Sequence, residues 1–496
     1  MYTIIYGGIL VVILLLGYTR LFRQSGWRGK SPPGPFRWPL LGSYPQMAMF
    51  GAKRVQDYFQ LIRRKYGSVA RIYFGRYPVI LVSGYDAIHE AFITQQDNTA
   101  ARPDFLPGVN AVKQHGKGLF FGNGPNWTKA RTTLKKGIAD VLMTSAYQDI
   151  VLEETKFLIE EFVEKKESPF QPRDSLYITV TTCRYAALTG QRCNHDSVVL
   201  REILRCMADF EQKGGILSPL GTVPWLRYLP ITRRSYKTLT GAYTGLQTLM
   251  LSEIRSRKEN FKEDQTGSVI DVFIKDQRQN PDVPSYSDGD VAVCLEECII
   301  GGAPSVALTV DWALLYMLEH PDVQARCQQE IDKVCGKSRQ VKFSDIDKLP
   351  YVSATVFEVQ RLANVVPVSL PHCAVDDMDI FGFHIPKGTI LFSNLISANT
   401  DDAYWENAQL FDPTRFLDDQ HSAIKMPQAF MPFSIGARKC PGYKMAVKEA
   451  TVIFANLLQT LTFSSIGKVN YGGTSVVNIR PTENYIVASQ RKHARE

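Results

Sequence analysis

One cysteine constrains this chain more than any other feature. Between Phe433 and Gly442 the sequence reads FSIGARKCPG, which puts Cys440 in a glycine-containing loop directly ahead of a segment suited to a helix. Backbone N–H groups and the positive end of a helix dipole favour thiolate over thiol in such a position, and a thiolate is a metal ligand. Gly436 and Gly442 let backbone approach a flat ligand closely, and Arg438, two residues from the cysteine, is suited to pair with a carboxylate. A haem is one of several groups this chemistry accommodates, and an inert buried Cys440 is the plainer alternative.

The remaining residues are sufficient to enclose such a group. With 496 residues, 45% of them hydrophobic and 21% charged, the chain has material for a large core and no mark of disorder. No Ser/Gly linker, like-charge block or internal repeat follows residue 45, so residues 31–496 are read as one catalytic domain. Nine cysteines without a C-x-x-C pair argue against a disulfide scaffold or structural zinc. Cys183, Cys206 and Cys327 read as small apolar packing, and the catalytic body is expected to face a reducing compartment. The net charge is +8 and the pI 8.9, but Lys and Arg are scattered. No nucleic-acid partner is expected; the charge suits an anionic membrane surface or an acidic redox partner.

Met1–Thr19 carries no charged side chain, and Arg20, Arg23, Arg28 and Lys30 follow it. Residues 1–30 are therefore expected to be a retained transmembrane anchor with its basic flank on the cytoplasmic side. Ser31-Pro32-Pro33-Gly34-Pro35 reads as a stiff connector. Residues 68–83 predict a hairpin around Gly75, and Ser145–Lys166 has helical spacing. A mainly helical middle is broken near Gly214 and Gly215 and again over Pro224–Pro230, where Trp225, Leu226, Tyr228 and Leu229 read as core rather than as an interfacial patch. Val291–Leu318 is a long apolar helix, interrupted at Gly301-Gly302-Ala303-Pro304. Strands and turns return over residues 379–394, and a further helix follows Pro441. The fold class is mainly α with a smaller β portion.

Together these residues carry a family resemblance. The run Phe433–Gly442 is similar, at every specified position, to the haem-binding signature F-x-x-G-x-R-x-C-x-G of the cytochromes P450. Glu358 and Arg361 resemble the family's E-x-x-R helix, Pro413–Phe416 its P-x-R-F loop, and Trp127 with Arg131 its W-x-x-x-R pair. The resemblance spans residues 31–490 and looks nearest to animal microsomal members, through PPGP, PWLRYLP and DWALLYMLEHPDVQ. It implies the P450 fold and a haem b with Cys440 as its axial metal ligand. The electron push of that sulfur toward O–O cleavage is a property of the family rather than a reading of these residues.

The resemblance also implies that Trp127, Arg131 and Arg438 hold haem propionates, with His372 in SLPHCA and Arg102 in AARPDF in similar places, and that Phe433 and Gly442 frame the thiolate. Arg415 would join Glu358 and Arg361 behind the haem. Lys129, Lys135, Lys136, Lys439 and Lys444 would face an acidic NADPH-dependent reductase, with cytochrome b5 as a second partner. Without the resemblance, each of these is an ordinary amphipathic face, surface ion pair or solvated lysine. The implied setting is the endoplasmic reticulum membrane, and the implied substrate a lipophilic steroid, fatty acid or xenobiotic.

One segment departs from the family. Where A/G-G-x-D/E-T is usual, this chain reads Gly301-Gly302-Ala303-Pro304-Ser305. Pro304 removes an N–H and disturbs the carbonyl of Ile300, so a kink and an unpaired acceptor are expected. Ser305 keeps a hydroxyl as the catalytic candidate. A monooxygenase relaying protons through Ser305 and water, helped by Glu296 or Glu297, is the favoured reading. Reductase-independent rearrangement of fatty-acid hydroperoxides or endoperoxides is the alternative, and a non-catalytic haem protein a third.

Overall fold

The computed structural model describes residues 29–50, 55–109, 117–213, 219–263, 267–281, 287–337, 339–475 and 477–491. The expected membrane segment at Met1–Thr19 lies outside them, as do Gly214 and Gly215.

The β portion begins where expected. Strands β1 (Val69–Phe74) and β2 (Tyr77–Ser83) pair antiparallel across a turn in which Gly75 takes φ 59°. Such left-handed backbone suits glycine. The later strands are β3 (His372–Cys373), β4 (Met378–Ile380), β5 (Phe383–Ile385) and β6 (Ile390–Asn394). β6 lies parallel to β2 and antiparallel to β3, giving the sheet order β1-β2-β6-β3, while β4 and β5 form their own hairpin. This sheet fixes His372 deep in the molecule, 2% exposed.

Five helices frame the site: α1 (Gly124–Leu142), α2 (Arg173–Thr189), α3 (Asp288–Glu319), α4 (Pro350–Ala363) and α5 (Tyr443–Thr460). α3 begins with a capping box, in which Ser287 and Asp290 satisfy each other's backbone N–H. Its side chains are apolar on nearly every face, and α2, α4 and α5 all pack against it. A helix of that kind belongs at the centre of a large core. By length and composition α3 is also suited to cross a membrane, but 78% of its most apolar window is buried in protein, so it is the core helix.

Two expectations need correction. α3 is not interrupted at Gly301–Pro304: the helix runs unbroken from Asp288 to Glu319 with Pro304 inside it. A proline within a helix costs about 3 kcal/mol, and packing on three sides outweighs that local preference. The Trp225–Leu229 run is not core either. Pro224–Tyr228 forms a single 3-10 turn, leaving Trp225 44%, Tyr228 71% and Leu229 42% exposed. One short turn between two prolines has no continuous face to tuck inward.

Candidate active site

The Cys440 loop is built from backbone bonds and one close approach. Cys440 N–H donates to the Phe433 carbonyl at 3.0 Å, and Lys439 N–H to that of Gly436, also at 3.0 Å. Gly436 takes φ +73°, and a Cβ there would lie 2.1 Å from the Phe92 carbonyl oxygen. Phe433 and Tyr443 meet edge to face at 4.8 Å on either side of the cysteine. Gly436→Ala is therefore expected to cost about 1–3 kcal/mol for overpacking and about 1–2 kcal/mol for left-handed backbone. Gly442, at φ −88° with nothing within 4 Å of where a Cβ would sit, should accept alanine with little change in the fold. Thermal unfolding of the two variants checks this; equal losses would contradict it.

Cys440 itself is accessible, yet it sits deep enough in the protein that burial pushes its thiol above the ordinary value. The Gly442 N–H and the charges of Arg131, Arg184 and Lys439 oppose that push without overcoming it. A bound metal ion would displace the proton and add the largest local charge in favour of the thiolate.

Beside the loop the structure gathers Arg102, Arg131, Arg438 and His372. Arg438 Nε donates to the Ala100 carbonyl at 2.6 Å and Nη2 to that of Gly122 at 2.8 Å, while Nη1 is buried without a partner. Arg102 Nη1 donates to the Leu370 and Pro371 carbonyls at 2.9 and 2.7 Å, and its Nε is likewise buried and unpaired. Asn123, missed in the sequence, accepts from Arg102 N–H at 2.8 Å and from Arg438 Nη2 at 3.3 Å. His372 Nδ1 donates to the Thr99 carbonyl at 2.7 Å, leaving Nε2 buried and unpaired.

These cations repel one another. Burial first, then Arg438 and Arg131, holds Arg102 well below its ordinary value, and burial with Arg131 brings Arg438 down to about 9. Burial and Arg102 keep the His372 ring neutral. Buried donors without acceptors are costly, and clustered cations add to the cost. Both costs are relieved by an anion with several oxygens, so the residues fit a flat group bearing two carboxylates, as a haem does.

Trp127 lies in the first turn of α1. Its indole N–H is already given to the Leu119 carbonyl at 3.1 Å, and its ring serves as a platform under Arg438, whose guanidinium carbon lies 3.4 Å from the ring centre. Arg131, one turn on along α1, donates to the Lys439 carbonyl and so ties α1 to the cysteine loop.

Behind the loop, Glu358 and Arg361 are both fully buried on α4. Arg361 Nε and Nη2 meet the two Glu358 oxygens at 2.6 and 2.7 Å, and Nη1 donates to the Asn399 and Ala408 carbonyls. Arg415 approaches Glu358 at 3.4 Å, and Asp412 N–H donates to it at 2.9 Å. The expected trio is thus assembled as one network.

On α3, Cys298, Gly301, Gly302 and Ser305 form an accessible stripe in a helix that is otherwise buried between its two ends, at the spacing of one face. A Cβ on Gly301 would lie 2.9 Å from Phe120, so that ring stands against the stripe at Gly301. Ser305 Oγ donates to the Gly301 carbonyl at 2.8 Å. Glu297 accepts the backbone N–H groups of Leu119 and Phe120, and Glu296 accepts from Gln247 at 3.4 Å. Glu297 thus fastens the Gly118–Phe121 turn to α3.

A thiol loop and an accessible stripe on the core helix, with carboxylate-seeking cations beside them, define an oxidoreductase built around a haem. The chain matches the Cytochrome P450 family over residues 32–475 and belongs to it. It is 31% identical to Cytochrome P450 2D19 of Callithrix jacchus over 462 residues, covering 92% of each chain. To Cytochrome P450 2D6 of Homo sapiens it is 30% identical over 464 residues, again covering 92% of each. To Cytochrome P450 2J5 of Mus musculus it is 29% identical over 437 residues, covering 87% of this chain and 85% of the relative. It is therefore a haem-iron enzyme of the P450 monooxygenase family.

Proposed function

We propose that this protein binds haem b with Cys440 as the axial ligand and inserts one oxygen atom of O2 into a lipophilic substrate such as a steroid, a fatty acid or a xenobiotic. The observation that carries the reading is the set of buried, unpaired nitrogens of Arg102, Arg438 and His372 converging beside the Cys440 loop. Arg102, Arg131, Arg438 and His372 hold the propionates, Trp127 supports Arg438, and Phe433 and Gly442 frame the sulfur. When bound, the haem supplies the oxygen-activating chemistry.

The chain's own contribution is to orient substrate and deliver protons. Phe120 covers Gly301 and gives a lipophilic substrate an aromatic wall. The Ser305 hydroxyl, held by the Gly301 carbonyl, passes a proton from Oγ once it turns toward ordered water. Glu297, bound to two backbone N–H groups, positions the wall and does not serve as the relay acid. Residues 1–30 anchor the domain of residues 31–496 to the endoplasmic reticulum membrane, cytoplasmic side. Lys135, Lys136, Lys439 and Lys444, all exposed, receive an NADPH-dependent reductase and cytochrome b5.

Pro304 favours a second reading, because an acid is missing where a proton relay would use it: rearrangement of a fatty-acid hydroperoxide without a reductase. The two separate on purified full-length protein. NADPH, reductase and isotopically labelled dioxygen should give a product carrying one labelled atom. Rapid isomerisation of a hydroperoxide without NADPH, reductase or dioxygen, with no labelled product, would overturn the monooxygenase. For the monooxygenase, Pro304→Asp should raise the fraction of consumed NADPH recovered as product; an unchanged fraction counts against proton delivery through this turn.

A further inference from the structure

One buried cation stands apart from the cluster beside the Cys440 loop. Arg184 lies on α2 within the run TVTTCRYAALT and is 6% exposed. Its Nη2 donates to Glu449 Oε2 at 2.8 Å, and its Nη1 lies 2.6 Å from Met445 Sδ. Both partners are on α5, the helix that follows Cys440. The remaining Nε is buried without a partner and faces α3: a Cβ on Gly302 would lie 3.0 Å from Nε and 3.4 Å from the guanidinium carbon. Gly302 sits inside a helix, where the backbone asks for no glycine; the space for Arg184 does.

Arg184 therefore joins the helix that carries the accessible stripe to the helix that starts at the thiolate loop. Its guanidinium lies between the two: Nη1 rests on Met445, five residues beyond Cys440, and Nε faces Gly302 of the stripe. Arg131 and Lys439 also flank the cysteine loop, but they are half-buried and exposed, where water and salt screen them. Arg184 is shielded from that screening. Glu449 and Tyr147 overcome burial to keep it protonated, while burial pushes the Glu449 carboxyl up.

We infer that Arg184 is a positioning residue for the electron-accepting step: its buried charge, held between α3 and α5, stabilises the negative charge that the Cys440 site takes on when reduced. The inference rests on Cys440 being the haem ligand. A scaffold role alone would make any change at Arg184 or Glu449 destabilising; an electrostatic role makes the two act with opposite sign.

The test is the reduction potential of purified, full-length, haem-loaded protein, measured with the ferrous carbon-monoxide spectrum of each variant. Arg184→Gln should shift the reduction equilibrium about tenfold toward the ferric form, about 59 mV for one electron. Glu449→Gln, which removes the counter-charge and keeps Arg184, should shift it toward the ferrous form. The double variant should fall between them, and Arg184→Lys near the wild type. If Arg184→Gln fails to fold, Glu449→Gln and Arg184→Lys still decide the sign. Potentials that stay put or move the same way, with thiolate spectra intact, overturn the role of Arg184. A wild type without a thiolate spectrum overturns the Cys440 assignment instead.

Discussion

Cys440→Ala is expected to give a folded protein with no thiolate-type ferrous carbon-monoxide spectrum and no detectable turnover. The loop does not depend on the sulfur for its shape. Gly436 against Phe92, the Phe433–Tyr443 contact and the backbone bond from Cys440 N–H to the Phe433 carbonyl all survive the substitution. The side chain is accessible, so its removal leaves no buried cavity of consequence. What is lost is the one accessible sulfur in the loop. Haem content, the spectrum and turnover, measured beside a thermal melt, separate ligation from folding. An unchanged spectrum in the variant would refute the ligand assignment, and a collapsed melt would show that the sulfur is needed for the fold.

The second large effect is expected at Glu358. Glu358→Ala leaves Arg361 fully buried with both of its bonds to the Glu358 carboxylate removed. Breaking a buried pair from one side costs about 3–5 kcal/mol, against a total stability of about 5–15 kcal/mol. The variant should be recovered poorly and with little haem. Arg361→Ala should be comparable, because among the described residues Glu358 then keeps Arg415 and the Asp412 N–H alone. Arg415→Ala should be milder, since its contact is longer, at 3.4 Å, and its remaining bonds are to exposed carbonyls. Haem-to-protein ratio and melting temperature check the order. A stable, fully loaded Glu358→Ala protein would rule out a haem-retaining role for the network.

Family and fold class were legible because they rest on short, contiguous patterns. FSIGARKCPG, the Glu358–Arg361 spacing and the hairpin around Gly75 each declare themselves within ten or so residues, and the chain proved to belong to the family they suggested. The misreadings came where distant contacts decide. Pro304 read as a break because its local cost was visible and the packing of α2, α4 and α5 around it was not. Trp225, Tyr228 and Leu229 read as core because they are apolar, though a single turn cannot bury them.

Asn123 and Arg184 were missed for different reasons. Asn123 has no motif; its role exists only because Arg102 and Arg438 meet there. Arg184 did leave a signal, a single charge in a run of small and apolar residues, which in a buried helix demands a partner.

The central claim, that one cysteine sulfur holds the iron of this enzyme, is tested most directly by X-ray absorption at the iron edge of the purified full-length protein. One sulfur neighbour in the first coordination shell, absent from Cys440→Ala, is the predicted result; a shell of nitrogen and oxygen alone in the wild type, or a sulfur that persists in the variant, would contradict it.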